Sequence, residues 1–154
     1  MAKVAIIMGS ESDRAVVSEA LPFLKYFRIE ADMMVMSAHR TPEEVQRFAG
    51  NAQQNGYDVI IACAGMAAHL PGVLAAYTTL PVIGVPLAAG ALNGQDALYA
   101  IVQMPAGVPV ATMAIGKAGV RNAAIFAAQI LALHEPDIAG RMQEFKKNKC
   151  RIPE

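Results

Sequence analysis

The chain has 154 residues with 13 basic and 13 acidic side chains, so its formal net charge is zero. This length predicts one domain, residues 1–154, and the balanced charge gives no general reason to expect nucleic acid or an anionic membrane as a partner. The two cysteines, Cys63 and Cys150, form neither a CxxC pair nor a metal-binding spacing. The N-terminus lacks the long apolar segment of a signal peptide, and we therefore expect a cytoplasmic protein.

Short apolar segments predict five β-strands, at residues 3–8, 29–36, 58–64, 81–85 and within 108–115. The second of these has acids only at Glu30 and Asp32, which predicts a mostly buried strand. Helical periodicity follows each strand: from the segment 10–13 to about residue 24, then at 42–54, 70–77, from about 95 to 102, 117–133 and 135–147. Pro22 lies inside the first helix and predicts a kink or a division there, because proline lacks the backbone N–H.

Alternating strands and helices predict a parallel sheet with helices on both faces. The expected fold class is therefore α/β, a flavodoxin-like three-layer α/β/α sandwich. Its five-stranded parallel sheet has the order 2-1-3-4-5, with an extra C-terminal helix over 135–147.

The middle third of the chain is unusually poor in charge: Asp96 is the only formally charged residue between Asp58 and Lys117. Five prolines cut this region into pieces far shorter than the roughly 18 apolar residues of a membrane span. The remaining explanation is that these apolar residues are buried more extensively than the core of one small domain allows. The composition therefore predicts a large, obligate interface between subunits, built from this region.

Polar residues follow the first predicted strand in the segment Gly9-Ser10-Glu11-Ser12-Asp13. Glycine lets the backbone approach a ligand closely, and the serines with the free amides of a first helical turn suit a phosphate. Asp13 would repel a phosphate but suits ribose hydroxyls. An ordinary helix start is the alternative, since Ser10-x-x-Asp13 also resembles a capping box. No GxGxxG pattern follows the strand, which argues against a dinucleotide site.

The second strand is followed by Ser37-Ala-His39-Arg40, and Thr41-Pro42 then predicts a capped helix start. The carboxyl ends of strands are where open α/β sheets bind ligands. Arg40 offers a planar fork for a phosphate, and its charge favours a neutral neighbouring imidazole that can act as a base. A structural role for a single histidine such as His39 is the alternative.

The third strand-end loop contains Gly65 and His69, with small residues between them that leave room for a flat ligand. The alternative for His69 is a buried histidine bonded to the backbone. His134 begins the last helical region and is interpreted as structural. Three widely spaced histidines without a carboxylate cluster make a poor metal site, and the segment Gly116-Lys117 lacks the residues of a phosphate-binding P-loop.

Four segments together resemble one known family: MGSESD at 8–13, SAHRTP at 37–42, AAHLPG at 67–72 and IVQMPAGVPVAT at 101–112. The sequence is similar to the class I branch of phosphoribosylaminoimidazole carboxylase, the N5-carboxyaminoimidazole ribonucleotide mutases of purine biosynthesis. The resemblance runs from about residue 3 to 133. It implies a cytoplasmic homo-octamer with sites at subunit contacts. We expect no cofactor and no metal, because no step of the implied reaction needs one. We also expect, as a separate hypothesis, a transient contact with the ATP-dependent synthetase that makes the ribonucleotide substrate.

The resemblance implies that a carboxylate moves from the exocyclic nitrogen to ring C4 of the aminoimidazole, and it assigns the site residues. His39 matches the general acid/base, Ser10 and Arg40 match phosphate binders, and Asp13 matches the residue that holds the ribose. The substrate-binding set implied by the resemblance is Ser10, Ser12, Asp13, Ser37, Arg40, Gly65, His69 and Leu70.

Five positions depart from the family's usual pattern. Arg14 stands where an aromatic residue is common, Cys63 and Met66 replace glycines, and Ala89 and Ala97 replace serines. Two other functions remain open at this point. One is direct carboxylation of the aminoimidazole ribonucleotide by free carbon dioxide, and the other is a nucleotide-binding module of the same fold without catalysis.

Overall fold

The computed structural model describes residues 1–153, which form a five-stranded parallel sheet with helices on both faces. The strands pair in the order β2-β1-β3-β4-β5, as predicted, and this is the flavodoxin-like arrangement. Their bounds are β1 Lys3–Met8, β2 Glu30–Val35, β3 Val59–Gly65, β4 Val82–Leu87 and β5 Ala111–Thr112. The helices are α1 Arg14–Val17, α2 Leu21–Tyr26, α3 Pro42–Asn51, α4 Leu70–Tyr77, α5 Gln95–Val102, α6 Lys117–Leu131 and α7 Pro136–Lys147.

The sheet is covered on both faces because successive residues of its inner strands point to opposite sides. In β1, Val4 and Ile6 join the core beneath α2, α6 and α7, whereas Ala5 and Ile7 join the core beneath α3, α4 and α5. All four are fully buried. An inner strand buried on both faces reads in sequence as an unbroken apolar run, which is why β1 and β3 were predicted closely.

The first helical region is divided, and Pro22 explains where. A 3₁₀ turn, Ser18–Ala20, separates α1 from α2. In an α-helix the carbonyl of Ser18 would accept a hydrogen bond from residue 22, but proline has no N–H. The amide of Leu21 donates to the Ser18 carbonyl instead, and this closer partner gives the tighter 3₁₀ turn.

The prediction that the second strand is mostly buried was wrong. β2 lies at the edge of the sheet and pairs only with β1, so most of its residues are half-buried and Val35 is 37% exposed. At the amino end of the sheet, Asp32 accepts a hydrogen bond from Tyr57 Oη (2.7 Å) and pairs with Lys3 Nζ (2.7 Å). These two partners lower the pKa of Asp32, the hydrogen bond from Lys3 contributing most.

β4 runs two residues further than predicted and includes Pro86. Its partner β5 is short, and pairs only Ala111 and Thr112 with Ile83 and Gly84. The Pro86 carbonyl accepts from the Gly116 amide (2.9 Å) on the side where β5 has already ended. The missing proline N–H therefore removes no ladder bond.

The predicted C-terminal helix is present as α7, beginning at Pro136. Phe145 of α7 is fully buried, and its ring packs edge-on against Phe27 at a centroid distance of 5.5 Å. Tyr26 Oη also donates to the Arg141 carbonyl (3.4 Å). These contacts dock α7 beside α2. Among residues 1–153, no helix has the length and apolar character needed to cross a bilayer.

Candidate active site

The loops at the carboxyl ends of β1, β2, β3 and β4 surround a cleft of about 430 Å³. The cleft lies where the chain leaves β1 and β3 in opposite directions, the usual ligand position in such sheets. Every site residue predicted from the sequence lines this cleft: Ser10, Ser12, Asp13, Ser37, His39, Arg40, Gly65, His69 and Leu70. The structure therefore brings these residues of three separate loops together in one cleft; their roles in binding and catalysis stay predictions.

The first loop presents two serine hydroxyls to the cleft. Ser10 Oγ lies 2.8 Å from Ser12 Oγ and accepts from the Ser12 amide (3.3 Å). The capping box suggested by the sequence is incomplete, because the Asp13 amide donates to the Ser10 carbonyl rather than to its hydroxyl. Both serines are exposed. One hydroxyl hydrogen lies in the contact between them, and the other is free to turn toward a bound anion.

Asp13 also lines the cleft, but it is half-buried, whereas the two serines are exposed. Burial raises the pKa of its carboxyl group, and a backbone hydrogen bond from Ser10 partly opposes this effect. The carboxylate can accept two hydroxyl hydrogen bonds, which suits a vicinal diol better than an anion.

The second loop is held closed by its own side chains. Thr41 Oγ1 accepts from the Ser37 amide (3.1 Å), and Ser37 Oγ accepts from the Arg40 amide (3.1 Å). The sequence correctly placed Thr41 at the N-cap position of α3, but its hydroxyl turns back to Ser37 and does not cap the helix. This turn leaves the side chains of His39 and Arg40 exposed on the cleft.

His39 and His69 are joined by a hydrogen bond across the cleft. His39 Nε2 lies 2.7 Å from His69 Nδ1, and the two rings are nearly perpendicular at a centroid distance of 4.8 Å. One nitrogen must carry the hydrogen while the other offers its lone pair, so the pair shares one proton at this contact. The alternative that His69 is a buried residue bonded to backbone was wrong: its ring is exposed and bonded to His39.

Arg40 is exposed, and within residues 1–153 its guanidinium group forms no salt bridge. Most other arginines of the chain behave differently: Arg14, Arg28, Arg121 and Arg141 each pair with a carboxylate. The guanidinium of Arg40 is thus available for a ligand anion, for which its planar donors are well suited.

The third loop packs tightly against the loop after β4. A Cβ atom at Gly65 would lie 2.8 Å from Ala89 Cβ and 3.3 Å from the Leu87 carbonyl oxygen. Only glycine allows this approach. Leu70 begins α4 and is buried beneath the cleft.

Several residues that also line the cleft were not in the predicted site set: Gly9, Ala38, Ala64, Met66, Ala67 and Ala89. Two of them could have been found from the sequence, because Met66 and Ala89 are departures from the family pattern in loops that follow strands. The other departures lie outside the cleft lining. Arg14 pairs with Glu11, Ala97 is buried in α5, and Cys63 is buried in β3.

Burial raises the pKa of Cys63, and the nearby Asp13 carboxylate adds to this. A thiol in that state is not a nucleophile near neutral pH. Among residues 1–153, no three side chains of His, Cys, Asp or Glu are grouped as a metal site would require.

Comparison with known proteins gives one consistent family. The sequence model of the AIR carboxylase family matches residues 3–151. The chain is 53% identical over 146 residues to the N5-carboxyaminoimidazole ribonucleotide mutase of Escherichia coli, covering 95% of this chain and 86% of that protein. It is 51% identical to the protein of the same name from Pyrococcus abyssi, covering 98% and 86% respectively.

A solved structure agrees with these sequence matches. The crystal structure of Treponema denticola PurE superposes with a TM-score of 0.85 at 28% identity, covering 97% of this chain and 92% of that one. The family model matches nearly the whole chain, both relatives are more than 50% identical to it, and the solved structure has the same fold. This chain belongs to the AIR carboxylase family of enzymes.

Proposed function

We propose that this protein is a mutase that converts N5-carboxyaminoimidazole ribonucleotide into 4-carboxy-5-aminoimidazole ribonucleotide, in de novo purine (IMP) biosynthesis. The observation that carries the proposal is the hydrogen-bonded pair of His39 and His69 in the same cleft as the unpaired guanidinium of Arg40. A proton-handling group and an anion-binding group are what this reaction needs. Relatives that are more than half identical bear this name.

The substrate's phosphate and ribose account for one end of the cleft. Ser10, Ser12 and Arg40 supply hydroxyl and guanidinium donors for the phosphate, and Ser37 holds the loop that carries Arg40. Asp13 accepts hydrogen bonds from the ribose hydroxyls. A phosphate held away from the reacting atoms supplies binding energy that orients the aminoimidazole ring.

The aminoimidazole ring then lies against Gly65, His69 and Leu70. The bond between the exocyclic nitrogen and its carboxylate breaks, carbon dioxide is released inside the cleft, and a proton is delivered to that nitrogen. Ring C4 attacks the carbon dioxide with its enamine electrons, which forms the new C–C bond. C4 now carries both the carboxylate and its hydrogen, and removal of that proton restores the aromatic ring.

One proton is therefore delivered and one removed in each turnover, so a single imidazole suffices. We assign this role to His39, and His69, 2.7 Å away, sets which His39 nitrogen carries the proton. General acid/base catalysis of this kind contributes about 10²–10⁴-fold. Keeping both fragments in one cleft avoids a second encounter in solution. The proposed steps need no cofactor and no metal.

Subunit assembly is the second part of the proposal. The charge-poor middle third exposes large apolar side chains: Tyr77 is 49% exposed, Leu92 59%, Tyr99 64% and Val102 47%. Apolar residues at this density favour burial against further copies of the chain. We propose a cytoplasmic homo-octamer of single-domain subunits, residues 1–154, in transient contact with the ATP-dependent synthetase that makes its substrate.

The test supplies the N-carboxylated ribonucleotide in buffer stripped of bicarbonate and follows formation of the C4-carboxylated product by absorbance. The wild type is expected to turn over. His39→Asn is expected to bind the ribonucleotide with similar affinity and to lose about 10²–10⁴-fold in kcat. Unchanged kcat would exclude the role of His39.

The two alternative functions give different results in the same assay. A carboxylase that uses free carbon dioxide would need the decarboxylated ribonucleotide together with bicarbonate and would not act on the N-carboxylated substrate. A module that only binds nucleotides would show a thermal shift with the ribonucleotide and no change in absorbance. Either result would contradict the mutase.

A further inference from the structure

Thr41 stands at the start of a helix but does not use its side chain there. It occupies the N-cap position of α3, immediately before Pro42. Threonine is favoured at such positions because its hydroxyl can accept a hydrogen bond from a free amide of the first turn. The Thr41 hydroxyl makes no such bond to the first turn of α3, residues 42–45. The side chain therefore serves another purpose.

The Thr41 hydroxyl closes the preceding loop, residues 37–41. Its oxygen accepts from the Ser37 amide (3.1 Å), and the hydroxyl donates to the Ser37 carbonyl oxygen (3.2 Å). The Thr41 amide donates to the same carbonyl (2.9 Å). Hydrogen bonds thus join the two ends of the loop directly, and most of them need the hydroxyl.

This closure orients the residues at the tip of the loop. On the side of β2, the Met36 amide donates to the Met8 carbonyl (3.0 Å), and Met36 is buried. The chain is therefore anchored before the loop begins. His39 and Arg40 lie at the tip, and both are exposed on the cleft. Their direction depends on how the ends of the loop are joined, which is what Thr41 determines.

The contact made by the tip tolerates little displacement. His39 Nε2 lies 2.7 Å from His69 Nδ1, which belongs to a different loop, before α4. A hydrogen bond is lost once its donor and acceptor are about 3.6 Å apart, so a shift of about 1 Å at the tip would break this one. A misplacement of about 1 Å can lower a catalytic rate by about 10²-fold.

We infer that Thr41 is a positioning residue: by closing the loop 37–41, its hydroxyl holds His39 at hydrogen-bond distance from His69. Thr41 is not part of the cleft lining, so it acts on a reaction there only through the tip of its loop. The expected effect on rate rests on the proposed mutase function. The expected effect on the two imidazoles rests on their contact alone.

The kinetic test replaces Thr41 by valine, which keeps the β-branched shape and removes the hydroxyl. With the N-carboxylated ribonucleotide as substrate, Thr41→Val should lower kcat by about 10- to 100-fold, because His39 is displaced. Thr41→Ser keeps the hydroxyl and should stay within about threefold of the wild-type kcat. The Tm of Thr41→Val should change by less than about 4 °C, since its hydroxyl caps no helix and exposed groups can bond to water instead.

Thr78→Val is the matched control. Thr78 Oγ1 accepts from the Leu80 amide (3.2 Å) in the turn between α4 and β4. This turn precedes β4 and therefore lies at the amino end of the sheet, opposite the cleft. Thr78→Val makes the same chemical change in another hydrogen-bonded turn and should keep the wild-type kcat.

A second measurement does not depend on turnover. The chain has three histidines, and His134→Gln leaves only the pair in the cleft. In protein labelled with ¹⁵N-histidine, at one fixed and mildly alkaline pH, NMR shifts of the ring nitrogens report which nitrogen carries the hydrogen. Whichever ring donates, the contact fixes the tautomer of both neutral rings. Thr41→Ser should keep the wild-type shifts, whereas Thr41→Val should move them toward those of free histidine.

Four results would overturn the inference: a wild-type kcat in Thr41→Val, an equal loss of kcat in Thr41→Ser, an equal loss in Thr78→Val, or unchanged nitrogen shifts in Thr41→Val. Failure of the proposed function looks different. The wild type would then form no product from the N-carboxylated ribonucleotide, while the nitrogen shifts would still test whether Thr41 positions His39.

Discussion

Replacing Gly119 by alanine should destabilise the protein strongly, and the structure gives the reason. Gly119 is a buried residue of α6. A methyl group there would overlap the Ala114 carbonyl oxygen outright, and would lie 2.7 Å from its carbonyl carbon and 3.0 Å from Val85 Cγ1. Carbon atoms pack comfortably at about 3.5–4.0 Å. The obstructing atoms are mainly the backbone of Ala114, in the loop between β5 and α6, so this loop and α6 must move apart.

Overpacking of a core typically costs about 1–3 kcal/mol. A backbone neighbour yields less easily than the end of a side chain, which places Gly119→Ala at the upper end, about 3 kcal/mol. For a chain of this size 1 kcal/mol corresponds to roughly 2–4 °C in Tm. We therefore expect Tm to fall by about 6–12 °C. Calorimetry at one fixed protein concentration measures this, because the proposed assembly would make Tm depend on concentration.

Gly140→Ala is the matched control. Gly140 lies inside α7, is exposed, and has nothing within 4 Å of its Cβ position. Alanine should stabilise the helix by about 0.5–1 kcal/mol, because glycine loses more backbone entropy on folding. The reasoning would be refuted if Gly119→Ala unfolded within about 0.5 kcal/mol of the wild type, or if both variants shifted in the same direction.

Two further predictions concern the site, and a third concerns the two cysteines. Arg40→Ala should raise KM by about 10- to 100-fold with a smaller change in kcat, since hydrogen bonds to a charged group are worth about 1.5–3 kcal/mol; steady-state kinetics measures this. Burial raises the pKa of the Asp13 carboxyl group. The folded protein therefore loses stability as the pH rises and this group becomes charged. Asp13→Asn should therefore be more stable than the wild type near neutral pH, and the difference should vanish below about pH 4, as urea unfolding across pH would show. A thiol reagent should modify exposed Cys150 quickly and buried Cys63 only after unfolding, because burial raises the pKa of Cys63; thiol titration with and without denaturant measures both.

Each of these has an outcome that contradicts it. An Arg40→Ala variant with wild-type KM would mean that the phosphate binds elsewhere. If the free energies of unfolding of the wild type and Asp13→Asn differed by the same amount at every pH, burial would not destabilise the charged form of Asp13. Two equally fast thiols in the folded protein would mean that β3 opens readily around Cys63.

Much of the fold was predictable from sequence because the inner strands are buried on both faces. β1 and β3 are continuous apolar runs, and their predicted bounds agree with the structure within a residue. The predicted order 2-1-3-4-5 placed β2 at the edge, but the apolar residues of β2 alone predicted a mostly buried strand, and its exposure was not predictable from them. Exposure of an edge strand depends on which strands pair beside it, and that is a property of the whole sheet.

For the site as well, part of the arrangement was predictable from the sequence and part was not. The sequence by itself determined that Ser10, His39 and His69 follow strands, and parallel strands bring their carboxyl ends to one edge. It did not determine the 2.7 Å contact between His39 and His69, which lie 30 residues apart in the chain. Nor did it determine the left-handed backbone of Met66. Such contacts arise when separate loops are packed to within an ångström of each other, and local residue preferences carry no information at that precision.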